Sequence, residues 1–519
     1  MNAYYTDEAR ASGEPTPRPK ALVIGSGFGG LAAAIRLSVM GYEVQVLEQL
    51  DGPGGRAYVF AQDGYTFDAG PTIITAPFLL EELWALCGRR LQDDVDLRLM
   101  EPFYRIRFDD GRIFDYNAND EQMERQIATF DARDVKGFRR LVEVAERCRR
   151  IGFEGMGSIA FDRFMDLIKA LPGFARMQAW RTIYGVVAKH LRHPQLRIAF
   201  SFHTLLIGGN PFSVTSAYAL IHSLERRWGV HSVMGGTGAL VRGMVKLLQQ
   251  RGVAIRYQAR VAEITVEAGR ATGVRLANGE TLTADIVVSN ADSAWTYKHL
   301  VRQEHRRHWS DSRIERGRYS MGLFVWYFGT KRRYEEVPHH MMVLGPRYKG
   351  LLRDIFKRKH LADDFSLYLH RPTATDPSLA PPGCDTFYAL SPVPHLDSGT
   401  DWRTHAERYR QAIQTRLEST VLPGLGDELT TSRLMTPLDF QDRLASYKGA
   451  GFGLEPLLLQ SAWFRPHNRS EDVDGLYLVG AATHPGAGVP GVLMSAKALQ
   501  TVVPTVQAWR AAQTSKATL

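Results

Sequence analysis

Residues 21–56, ALVIGSGFGGLAAAIRLSVMGYEVQVLEQLDGPGGR, decide the fold. A short apolar run (Ala21–Ile24) leads into Gly25-x-Gly27-x-x-Gly30, with Phe28 and Gly29 inside the motif. An alanine-rich helical stretch follows to Met40, and a second apolar strand, Glu43–Leu47, ends at Glu48. Strand, glycine-rich turn, helix, strand and terminal acid make a βαβ dinucleotide-binding unit. Gly25 allows the tight turn, Gly27 lets backbone approach a pyrophosphate, and Gly30 lets helix and strand pack closely. The helix start offers unpaired N–H groups and partial positive charge to phosphates. Glu48, with Gln49 beside it, stands where a carboxylate accepts the adenosine ribose hydroxyls, and its charge would repel the extra phosphate of NADP.

Gly54-Gly55-Arg56 closes the stretch within one short loop of Glu48. A second glycine pair opens room for backbone beside a cofactor, and an arginine neutralises phosphate charge. NAD dehydrogenases generally lack this extension, which resembles the flavoprotein oxidoreductases related to amine oxidases; FAD is the cofactor that resemblance implies. The competing reading of the block is a degenerate site that no longer holds flavin, and of Arg56 alone a surface ion pair.

A chain of 519 residues is long enough for two or more domains with large cores. Apolar content of 44% and charged content of 23% place it among globular proteins. The net charge of +9 favours an anionic membrane surface or ligand over nucleic acid, because the basic residues form no long run. Cys87, Cys148 and Cys384 are odd in number and widely spaced, which argues against a disulfide framework or zinc site and for a reducing compartment. Residues 1–19 are polar and read as a flexible start without a secretory signal. The longest apolar run, Met321–Phe328, is too short to span a bilayer and reads as a buried strand.

The expected fold class is α/β: a discontinuous Rossmann-like FAD-binding domain, an inserted mixed-sheet substrate domain, and a helical region that is a membrane-associated lid. The cofactor domain is assigned to 20–77, 234–300 and 441–519, the substrate domain to 78–120 and 301–440, and the helical region to 121–233. Helices are expected at Leu79–Leu86, Arg133–Arg150, Arg163–Leu171, Phe174–Leu191, Val214–Trp228, Gly238–Gln250, Trp402–Leu417 and Gly491–Val503. Phe103–Tyr116 reads as a hairpin turning at Asp110-Gly111, and Asn278-Gly279 as a second hairpin turn. Ala259-Arg260-Val261 is expected at the end of a strand, Ala284–Asn290 and Leu476–Gly480 as strands of the cofactor domain, and Asp68-Ala69-Gly70-Pro71-Thr72 as a loop against the flavin ring.

Asp474–Ser495, DGLYLVGAATHPGAGVPGVLMS, delivers a strand to a loop of small residues and then a helix. Small residues let a planar ring lie against backbone, and the N–H groups of the Pro490-Gly491-Val492 turn (proline itself has none) would face its edge. This segment resembles the C-terminal signature of the bacterial-type phytoene desaturases, carotenoid enzymes that use FAD. So do Phe67–Thr72, Ser201–Leu206 with Gly208–Phe212, Glu225–Gly229, and Gln460–Asn468, a resemblance that covers residues 20–505. Ala482 stands where the signature usually has glycine. Ala481, after Gly480, stands where many wider relatives carry an acid for the ribityl chain, so backbone is expected to supply those contacts. The resemblance places Val261 against adenine.

The same resemblance implies removal of hydrogen from a C40 polyene such as 15-cis-phytoene, in steps towards neurosporene or lycopene. Each step would pass a hydride from an allylic carbon to the flavin and release a proton from the neighbouring carbon. Asp166 matches a carboxylate proposed near the flavin in this family, with Met165 where arginine is usual; its alternative is an exposed helix carboxylate. His484 is expected beside the ring, as a loop histidine that orients backbone. Oxygen or a membrane quinone would reoxidise the flavin, and a homo-oligomer is left open. A lipid-soluble carotene implies peripheral association with the cytoplasmic membrane from the cytoplasm. Met177, Trp180, Tyr184, Val187 and Leu191, flanked by Arg176, Arg181, Lys189 and Arg192, would form a membrane-surface stripe, or else pack on the protein's own core. Competing activities are another flavin carotenoid enzyme (ketolase, isomerase or other desaturase), an amine oxidase, and a prenyl-lipid-binding escort without catalysis. Residues 480–492 offer no aromatic cage for an amine, and the intact glycine set favours flavin.

Overall fold

The computed structural model describes residues 18–517, so most of the N-terminal stretch expected to be flexible lies outside the described residues. Lys20–Ile24 is the middle of a five-stranded parallel sheet with the order Leu476–Leu478, Ile286–Ser289, Lys20–Ile24, Glu43–Leu47, Ala254–Arg256. Ala21 stands opposite Ile286 on one side and Val44 on the other. A central parallel strand is covered on both faces, which is why Ala21–Ile24 is apolar without alternation. The helix Phe28–Val39 is buried over most of its length and packs against Thr237–Gln250 and Val489–Val502. Its Gly29, Gly30 and Ala32–Ala34 permit that close approach from both sides.

A three-stranded antiparallel sheet (Val261–Glu267, Arg270–Leu276, Thr281–Thr283) lies beside the parallel one, turning at Asn278-Gly279, where Gly279 has φ 90°. The strand expected to end at Val261 instead stops at Arg256. Gln258 adopts a left-handed φ of 53°, the chain turns, and Val261 opens a strand of this different sheet.

The third sheet has seven strands, in the order Leu429–Met435, Gly322–Thr330, Asp385–Val393, Leu367–His370, His340–Val343, Tyr104–Arg107, Ile113–Tyr116. Gly322–Thr330 is buried at every position. The Tyr104–Tyr116 hairpin joins through a parallel pairing of Met341 with Arg105, so two distant stretches of chain share one sheet.

The helices at Phe78–Leu86, Asp134–Cys148, Thr237–Gln250, Trp402–Glu418 and Val489–Val502 agree with the pattern within a few residues, whereas Asp120–Asp131 is a helix the pattern did not reveal. The single helix expected over Phe174–Leu191 does not form. A helix begun at Phe164 runs to Arg176, the chain turns at Gln178 (φ 53°), and a new helix spans Ile183–His190. Thr182 caps this second helix by accepting the Gly185 N–H at 3.0 Å. Met177, Val187 and Leu191 are buried in the core, so the expected membrane stripe faces inward and only Trp180 of the fully apolar positions stands out. Val214–Trp228 likewise begins as a tighter turn, Ser216–Ala219, before the α-helix Leu220–Trp228.

A candidate cofactor and substrate cavity

One cavity of about 1310 Å³ is lined by residues of both the parallel sheet and the seven-stranded sheet. At one end lie Gly25, Gly27, Phe28 and Gly29. Gly30 is not part of the lining; a Cβ there would run into the Gly25 carbonyl, so its role is packing under the turn. Glu48 is buried, with Oε2 accepting the Ser26 N–H (2.8 Å) and hydroxyl (2.6 Å) and Oε1 accepting the Leu50 N–H (2.9 Å). Gln49 lines the same end and donates to the Arg443 carbonyl at 2.6 Å, tying the turn to the other side of the cavity. Val261 also lines the cavity.

Further along, Gly54 (φ 117°) and Gly55 (φ 57°) hold a backbone path closed to other residues, and the Gly54 N–H donates to the Ser26 carbonyl at 3.0 Å. The half-buried Arg56 side chain donates to Ser446 Oγ at 2.8 Å, while its buried Nε has no partner. Burial pushes its pKa down, opposed by the nearby Asp292 carboxylate. The wall formed by Gly70, Pro71 and Thr72 is pinned from behind. Tyr388 donates to the Gly70 carbonyl (3.2 Å), Thr237 to that of Pro71 (2.7 Å), and Tyr327 to that of Ala69 (2.7 Å). Thr72 Oγ1 is hydrogen-bonded to the Tyr368 hydroxyl at 2.8 Å. Asp68 accepts the Thr237 N–H at 2.9 Å, capping a helix remote in sequence.

The C-terminal loop closes the opposite side with Gly480, Ala481, Pro490, Gly491 and Val492. Arg465 donates to the carbonyls of Ala481 (2.8 Å) and Thr483 (3.2 Å). Asn468 Nδ2 reaches those of Leu478, His484 and Ser495, each at 3.2 Å. The Arg465–Asn468 stretch is thus a clamp on this loop. His484 lies in the lining against Phe161, and burial with the neighbouring Arg465 holds its pKa down to about 3, so it is neutral.

These features fit FAD. The helices starting at Phe28 and Val489 are both uncapped by any side chain, and their first turns line the cavity, leaving N–H groups for phosphate and ring oxygens. Gly27 and Gly29 leave space that a Cβ would fill against Asn290. The unpartnered Arg56 Nε offers a charged donor between the two ends. Asn290 itself lines the cavity between Gly25 and Gly480 and was not singled out by the sequence; a polar residue ending a buried apolar strand was the available signal.

Asp166, expected near the flavin, does not line the cavity. In the helix Phe164–Arg176 it is Leu167, Leu171 and Phe174 that reach the lining, and Asp166 stands off that stripe, partly exposed. Glu225, missed as a site residue, does line the cavity, along with Tyr368 and Tyr388. Beyond the glycine turns the lining becomes apolar, with Phe174, Leu205, Leu206, Met342, Leu390 and Phe440. Leu171, Trp180 and Leu459 both line the cavity and are 50%, 65% and 70% exposed, which marks its mouth.

Comparison with known proteins adds four findings. The family model of flavin-containing amine oxidoreductases matches residues 28–498. The chain is 49% identical over 490 residues to a neurosporene-forming phytoene desaturase of Cereibacter sphaeroides, covering 93% of this chain and 94% of that one. It is 50% identical over 480 residues to a lycopene-forming phytoene desaturase of Pseudescherichia vulneris, covering 92% and 98%. A crystal structure of an oxidoreductase from Methanosarcina mazei superimposes with a TM-score of 0.63 at 20% identity, covering 93% of this chain and all of the other, a likeness of fold.

Proposed function

The chain belongs to the flavin-containing amine oxidoreductase family and to its phytoene desaturase branch, and from that premise we propose that it desaturates phytoene with FAD as its oxidant. The observation that carries this reading is the continuity of the cavity from the Gly25–Gly29 turn to an apolar chamber with an apolar mouth. FAD, when bound, supplies the two-electron acceptor for hydrogen leaving an allylic carbon. The chain's own residues hold, align and keep dry. The glycine turns, Glu48, Arg56 and the two helix starts would hold the cofactor, and the hydrogen-bonded Ala69–Thr72 wall gives the chamber a rigid polar side. Phe174, Leu205, Leu206 and Leu390 exclude water from a polyene that has no polar group to grip, so fit and alignment do the work. The products are conjugated polyenes of the neurosporene–lycopene series, made for carotenoid biosynthesis.

The substrate enters from lipid. Phe164, Met165, Ile168 and Leu171 are exposed on the helix Phe164–Arg176, next to Trp180 and Leu459 at the mouth. Arg163, Lys169, Arg176 and Arg181 are exposed among them. Apolar side chains ringed by cations suit an anionic bilayer surface. No helix among the described residues is long and apolar enough to cross a membrane, and peripheral attachment at the cytoplasmic membrane, with a quinone or oxygen as terminal acceptor, is the reading we adopt. Incubation with phytoene-loaded liposomes and FAD should give extracts with the absorption of coloured polyenes. Colourless extracts under both aerobic and quinone-supplied conditions would overturn the assignment.

A further inference from the structure

Each desaturation must also dispose of a proton inside an apolar chamber. Among the described residues, only two acidic side chains line the cavity, Glu48 at the glycine-turn end and Glu225. Glu48 is already committed to Ser26 and Leu50. Glu225 lies on the helix Leu220–Trp228, whose Leu220, Ile221 and Leu224 share the lining with it. It is 1% exposed. Its Oε1 accepts a hydrogen bond from the buried Tyr104 hydroxyl at 2.7 Å. His203 Nε2 stands 3.2 Å from Oε2 but out of line, so Oε2 has no hydrogen-bond donor. A buried carboxylate oxygen without a donor is costly and is retained where it has a use.

Of the other titratable groups in the lining, His299 packs against Trp295 at the Val261 end, and the rest make poor proton acceptors. Burial pushes the Tyr368 and Tyr388 phenols far up, so they stay protonated, and holds His484 down to about 3, which leaves it a feeble base. Arg56, Arg260 and Arg443 present guanidinium groups, which donate hydrogen bonds and accept none.

We propose that Glu225, held by Tyr104 beside His203, is the base that receives the proton released in desaturation. This rests on the phytoene reading above. As one substrate C–H bond gives up its hydrogen with both electrons to FAD, the C–H bond on the neighbouring carbon breaks. Its electron pair becomes the second bond of the new C=C, and its proton goes to Glu225 Oε2, giving a neutral carboxylic acid.

The test mixes FAD-loaded protein anaerobically with phytoene-containing vesicles and follows both flavin bleaching and the infrared carbonyl band of a protonated carboxyl, assigned with ¹³C-glutamate. Wild type should bleach and gain that band. Glu225→Gln, whose amide oxygen can still accept from Tyr104, should keep FAD absorbance while bleaching slows roughly 100-fold or more, without the band. Glu225→Asp should recover part of the rate. Bleaching by Glu225→Gln within about threefold of wild type, far short of what loss of a general base costs, would overturn the role of Glu225 alone. So would a bleaching wild type that shows no protonated glutamate, a measurement that stands even where the variant does not fold. A wild type that carries FAD yet is not bleached by phytoene would overturn the substrate assignment, and this proposal with it.

Discussion

At Glu48 a single carboxylate holds the glycine-rich turn closed through Ser26 and Leu50 before any ligand arrives. The motif was readable because the turn, the helix and the acid lie within residues 21–56, where spacing alone fixes neighbours; the bonds from Ser26 and Leu50 were not. Glu225 was not readable as a site residue, since it sits on a helix and its hydroxyl partner Tyr104 is 121 positions away, in the seven-stranded sheet. Asp166 shows the converse, a carboxylate chosen by likeness that the helix turns away from the chamber. Single histidines also set a pH dependence. Burial, with Arg371 nearby, holds His339 down to about 3, against 6.5 for an exposed histidine. Between those values the unfolded chain takes a proton that the folded one refuses, so the contribution is full above pH 6.5 and is lost on acidification, at up to about 1.4 kcal/mol per pH unit. His339→Asn, which can keep a hydrogen bond to Thr375, should therefore lose less stability than wild type between pH 7 and pH 5. Denaturant titrations at the two pH values measure this, and parallel losses would contradict it.

Among elements, the buried strands and the helices around the parallel sheet followed from apolar runs and glycine punctuation. The break at Gln178 did not, because helical spacing continues across it and only a left-handed φ at a residue other than glycine stops the helix. The consequence is that the exposed apolar positions fall on Phe164–Arg176 rather than on the stripe from Met177 to Leu191. Replacing Ile168 and Leu171, both exposed, with glutamate should cut co-flotation with anionic liposomes at least several-fold and leave the folded protein's thermal midpoint within a degree or two. Unchanged flotation would remove this helix from the membrane contact.

For the whole molecule, the cavity joins the three larger sheets through the segments that wall it, so a ligand there braces the structure. Stripping FAD should lower the thermal midpoint, and re-addition should restore it in a concentration-dependent way, by about 2.7 kcal/mol at a hundredfold excess over Kd. A midpoint indifferent to FAD would mean the cradle is not its binding site. The parallel sheet pairs Ala21 with Ile286, and Val287 with Leu476, while the helix from Val489 completes the cradle begun at Gly25. A chain that has presented only residues 20–48 therefore has the glycine turn and its Glu48 brace but not the strand and helix that complete the cradle. The flavin seat is therefore whole only once residues 476–502 have joined the sheet begun at Lys20.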